Sequence, residues 1–142
     1  MKKQLRFFFI LLFFLLFAYI LRPSSDYMEK LFVVKGISLA ADYKKAVSDY
    51  LADHRELPTG EDWIEMSPAV QVNLDESAVD RITVGDDGPG TVTIYYSTDK
   101  LADAPPAINN TRIILTPQVF SGKITWTCKG TMPEEYRPNA CQ

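Results

Sequence analysis

The chain has 142 residues, the size of one ordinary domain, and its formal charge of −3 hides an asymmetry. Lys2, Lys3, Arg6 and Arg22 flank an apolar run and no acid precedes Asp26, so residues 23–142 hold eleven bases against eighteen acids, a net of −7. A part this acidic, with no run of Lys or Arg, is repelled by phosphate backbones, and nucleic-acid binding is disfavoured.

The apolar run is Phe7 to Leu21, FFFILLFFLLFAYIL. Basic residues before it and an acidic domain after it give the charge order of a segment inserted with its N-terminus in the cytoplasm. Fifteen residues at 1.5 Å each reach roughly 22 Å, against a hydrocarbon core of about 30 Å, so Arg6 and Arg22 would snorkel to extend the span. An uncleaved inner-membrane anchor over residues 1–22, placing the remainder on the periplasmic side, is the favoured expectation. A cleaved secretory signal is the alternative, although the small-x-small site is missing around Tyr19–Pro23.

A long helix is predicted over residues 24–56. Ser24, Ser25 or Asp26 can cap it after Pro23, which would kink it or let it run on from the apolar segment. Tyr27, Leu31, Val34, Ala40, Tyr43, Val47, Tyr50 and Leu51 recur mostly at gaps of three or four, the period of one helical face. Gly36 weakens the middle, and Pro58 with Gly60 is the expected stop. No heptad seam persists past Gly36, so the stripe suits packing on a sheet better than a coiled coil.

Residues 57–79 read as a long connection, with a short strand at Val70, Val72 and Leu74. Four stronger strand signals follow at residues 81–84, 91–96, 112–116 and 123–128, rich in β-branched and aromatic residues. Gly85-Asp86-Asp87-Gly88-Pro89-Gly90 joins the first two as a hairpin turn, and Ser121-Gly122 turns into the last. Short turns imply an antiparallel meander, and the long helix covers one face of it. The fold class is therefore α+β: a long N-terminal helix on a four-stranded antiparallel sheet. Tyr43, Val47, Tyr50 and Trp126 are expected to pack its head.

Cys128 and Cys141 are the two cysteines. Behind an export signal they read as a disulfide that fastens the Pro-rich tail to the last strand, with reduced thiols as the alternative. Two cysteines make a poor metal site, and His54, among Asp53, Arg55 and Glu56, reads as a solvated surface residue. Glu61, Asp62, Glu65, Asp86 and Asp87 have no base, nucleophile or ligand spacing beside them. Asp86 and Asp87 suit a turn better than a calcium loop. No catalytic residue, metal or cofactor is assigned, and an enzyme is not expected.

Several segments resemble type IV pilins. Leu39 to Tyr50 followed by Leu57-Pro58 looks like the end of the pilin helix. Ile82-Thr83-Val84-Gly85 and Thr91 to Ile94 look like its first hairpin, and Ile114-Leu115-Thr116-Pro117 like its third strand. Gly122 to Cys128, then Tyr136-Arg137-Pro138-Asn139-Ala140-Cys141, resembles the family's Trp-x-Cys strand and Tyr-x-Pro-x-x-Cys close. The likeness covers about residues 23–142, and Pro23 falls near the helix-kinking proline of pilins.

The resemblance implies a pilin fold with a disulfide-closed tail, and a subunit, major or minor, of a surface filament serving adhesion or motility. Its partners would be pilin subunits or assembly proteins, the inner membrane, and a host or abiotic surface. The first 22 residues depart from the pattern. Pilin precursors carry a leader ending in Gly and a glutamate early in the apolar helix, whereas here no Gly precedes Gly36 and no glutamate precedes Glu29. Leu5 and Arg6 stand where the glutamate is expected. That difference suits the alternative of an inner-membrane accessory protein that assists or limits assembly without entering the fibre.

Overall fold

The computed structural model describes residues 2–20, 25–99, 101 and 103–141, and for residues 2–9, 18, 25, 26, 28, 69 and 140 the backbone alone. Helix α1 (Lys2–Ile20) carries the apolar run, and α2 (Ser25–His54) is the long helix. The stop comes earlier than Pro58. Arg55 takes the left-handed conformation at φ 62°, and its N–H reaches the Leu51 carbonyl at 2.9 Å. A left-handed residue with such a bond closes a helix, and here a non-glycine supplies it.

The connection from residue 57 is more ordered than its lack of periodicity suggests. Helix α3 (Gly60–Met66) begins at a capping box. The Thr59 side chain accepts from Asp62 N–H, and the Asp62 carboxylate accepts from the Thr59 N–H and hydroxyl at 2.7 Å each. Seven residues are too few to show a helical period, so the cap is the legible signal. The strand expected at Val70, Val72 and Leu74 does not form. That segment runs without ladder partners and rests the three side chains, half-buried, against the core.

Strands β1 (Val79–Val84), β2 (Val92–Tyr96), β3 (Arg112–Phe120) and β4 (Lys123–Gly130) form one antiparallel sheet in the order β1-β2-β3-β4. The meander is thus as the strand signals imply, with β3 and β4 longer. Strand β3 continues through Pro117 because its ladder with β2 ends at Leu115, so no partner on that side needs the missing N–H. Ser121 and Gly122, both at positive φ, make the two-residue turn between paired Phe120 and Lys123.

The core lies between α2 and one face of the sheet. Val33, Ala40, Tyr43 and Val47 of α2 meet Val79, Ile82, Val84, Val92, Ile94, Ile113 and Leu115 of the sheet. Gly85 is required where the first hairpin turns back. At φ 85° it sits so close to the Thr59–Gly60 backbone that a Cβ would lie 2.4 Å from the Gly60 nitrogen.

Candidate functional site

The core stripe of α2 differs from the predicted one over its first turns. Val33, Gly36, Ala40, Tyr43 and Val47 face the sheet, while Tyr27, Leu31 and Val34 lie on the opposite side and are exposed. Both sets recur at three and four, so spacing could not choose between them. The sheet chose. Tyr96, 1% exposed, donates its hydroxyl to the Val33 carbonyl at 2.9 Å, and its ring fills the space that a side chain at position 36 would take. A Cβ on Gly36 would fall 2.4 Å from the Tyr96 hydroxyl oxygen. Gly36 is thus less a weakness in the helix than the notch that seats it on the sheet. Burial holds the Tyr96 hydroxyl well above the usual tyrosine range.

Further along, Tyr43 packs against Trp63 of α3 with ring centroids 5.3 Å apart. Its hydroxyl is raised by burial first and by Asp42 second. Val47 is fully buried. Tyr50 is half-buried and stacks on His54 at 4.0 Å, and it is raised by desolvation, then by its hydrogen bond to Asp62. Asp62 is lowered chiefly by the Thr59 backbone and side-chain bonds. Trp126 of β4 is half-buried on the other flank of α2, and Lys44 Nζ lies 5.2 Å above its ring.

The tail is fixed twice. A disulfide joins Cys128 to Cys141, and Arg137 donates from Nε to the Met132 carbonyl at 2.7 Å and from Nη2 to the Gly130 carbonyl at 3.1 Å. Met132 is fully buried, with the Thr111 hydroxyl 3.6 Å from its sulfur. In the first hairpin, Asp87 accepts from the Thr93 hydroxyl at 2.7 Å and pairs with Arg112 at 3.3 Å, so that acid has structural work to do. Among the described residues, no three His, Cys, Asp or Glu side chains are grouped to hold a metal ion.

What the head does not cover is α1. Ile10 to Phe17 are 44–66% exposed, and Tyr19 and Ile20 are 74% and 73% exposed. From Ile10 to Phe17 every residue of the helix is apolar, so all its sides are, which marks this stretch for burial against something else. Among the described residues no helix is long and apolar enough to cross a membrane, so the transmembrane anchor expected over residues 1–22 is not supported. Arg22 and Pro23, the expected flank and kink, lie outside the described residues, as do the side chains of Lys2, Lys3 and Arg6.

The described residues thus form a helix laid on an antiparallel meander with a stapled tail, and a further apolar helix that is left exposed. A family model described as pilin, a bacterial filament protein, matches residues 32–142. The chain belongs to the type IV pilin family.

Proposed function

We propose that this protein is a structural subunit, major or minor, of a bacterial surface filament that serves adhesion or motility. Residues 23–142 form the outward head, and residues 1–22 form the segment that other subunits bury. The observation that carries this reading is the exposed apolar surface of α1, to which α2 adds exposed Tyr27 (61%), Leu31 (41%) and Val34 (44%). Parallel helices of neighbouring subunits can bury that surface without altering the head core. Membership of a filament-forming family supports it, and partners are then other pilin subunits.

A second reading rests on charge. Residues 1–25 hold four bases and no acid, and buried cations without counter-charges cost several kcal/mol. An accessory protein that meets pilin subunits or assembly proteins at the inner membrane, without entering the fibre, avoids that cost. Shearing filaments from cells and measuring this chain in the sheared and membrane fractions separates the two. Recovery in the filaments is expected. Retention with the membranes of cells that still make filaments overturns the subunit reading in favour of the accessory one.

A further inference from the structure

Two features of the head remain unused by its own packing, and they lie on opposite flanks of α2. The first is a groove of about 600 Å³ between the end of α2 and the β3–β4 hairpin. Its floor and walls are Leu51, Ala52, Val119, Ile124 and Trp126, and Arg55 stands at its rim. Lys44 lies over the Trp126 ring, and no acid lines the groove. A cationic apolar groove is out of character in a part with net charge −7.

The second feature is α3. Ile64 is 73% exposed and is flanked by exposed Glu61 and Glu65, one turn apart on the same helix face. Trp63 and Asp62 turn the other way, toward Tyr43 and Tyr50 of α2. An apolar knob between two acids has the opposite charge pattern to the groove. At 100° per residue, Ser48 lies roughly opposite Tyr43 and Tyr50 on α2 and Lys44 about a third of a turn from them, so knob and groove of one molecule lie on different sides of the helix. They cannot meet within one chain.

We propose that α3 of one copy docks into this groove of a second copy, with Ile64 entering between Leu51, Ile124 and Trp126 and with Glu61 and Glu65 facing Arg55 and Lys44. The inference deepens the filament reading and rests on it. A contact between two different surfaces of one chain is heterologous, and it repeats in an open series rather than closing into a dimer. Its footprint is small beside the ~800 Å² per partner of a stable interface. It therefore adds register and specificity to subunits already held by their apolar helices, as expected of linked weak contacts.

The test is cross-linking in cells that express the full chain. Ile64→Cys and Val119→Cys are placed on one chain, or on two chains mixed, and treated with a short bis-maleimide. The double variant is expected to give a ladder, the mixture a dimer, and either single variant alone neither. Glu61→Lys with Glu65→Lys is expected to lower the yield about tenfold, and adding Arg55→Glu with Lys44→Glu to restore it to within about twofold. Efficient dimers from Ile64→Cys alone, or a yield indifferent to the charge reversals, overturn the contact. Absence of adducts in chains recovered from sheared filaments overturns it while leaving the filament reading intact. A charge-dependent ladder in chains that stay with the membranes upholds the contact and overturns the filament reading instead.

Discussion

The head and α1 use the same kinds of residue to opposite ends. In the head, Val33, Val47, Ile94 and Ile108 are fully buried, whereas Ile10 to Phe17 of α1 are about half exposed. Burying an apolar side chain contributes about 1.5–3 kcal/mol, so eight half-exposed ones forgo on the order of 10 kcal/mol. The head buries most of its apolar side chains within the chain, with Ile64 and Phe120 as exceptions, whereas α1 leaves its own exposed. A substitution in one should therefore act on folding, and in the other on assembly.

The sharpest break in that comparison is a charge on each side. Phe13→Asp, at a site 66% exposed, is expected to leave the melting temperature of the head within about 1 °C and to abolish recovery in sheared filaments. Val47→Asp, at a fully buried site, is expected to prevent folding, because an unpaired buried carboxylate costs more than a domain's margin of stability. Circular dichroism and fractionation of the two variants read both effects. Equal loss of head stability in both would mean that α1 is part of the folding unit.

The disulfide comes next in size. Its two cysteines are 13 residues apart, and by the loop-entropy model its removal costs about 3 kcal/mol. Cys128→Ser with Cys141→Ser is expected to lower the melting temperature by roughly 10 °C and to open residues 131–141 to protease first. Because Arg137 still holds the Met132 and Gly130 carbonyls, β3 and β4 should remain paired. Loss of the whole sheet's protection would place the tail at the centre of the fold instead of at its edge.

Much of the head was legible in the sequence because its signals are local. The glycines of the first hairpin, the alternation of Thr91–Tyr96 and the Ser121-Gly122 turn each specify a short piece, and the meander follows from adding them in order. Tyr43 and Val47 were legible as core from helical period. What period could not decide was the face of the first turns of α2, since Val33 and Val34 both belong to plausible stripes. The deciding contact, Tyr96 to Val33, spans 63 residues. Likewise the strand expected at Val70 to Leu74 has the right alternation but no partner edge, and Arg55 ends α2 in a conformation that its side chain does not advertise. The groove and Ile64 were not legible at all, because each is defined by what the fold leaves uncovered.

That long-range contact gives the next test. Gly36→Ala improves helix propensity by about 1 kcal/mol, yet the added methyl would overlap the Tyr96 ring. Overpacking costs about 1–3 kcal/mol, so a net loss of up to about 2 kcal/mol is expected in thermal melts. A gain would mean that α2 slides on the sheet and that the notch does not fix its position.

Tyr96→Phe isolates the smallest effect, the hydroxyl itself. Removing one neutral hydrogen bond costs about 1 kcal/mol, and here the Val33 carbonyl keeps its helical partner, so the loss should fall at the low end. The pH dependence carries a cleaner signature. The Tyr96 hydroxyl is raised by burial in the folded head, while in the unfolded chain it titrates near 10. Below about pH 10 both states are protonated and the contribution is intact. Above it the unfolded chain releases a proton that the folded head retains, so stability falls as pH rises toward the folded value. Tyr43 is raised in the same direction, more weakly buried. Melts from pH 9 to 11 should therefore steepen for the parent chain and flatten, without becoming level, in Tyr96→Phe. Identical slopes would mean that the hydroxyl reaches water, and that the helix is held by shape at Gly36 alone.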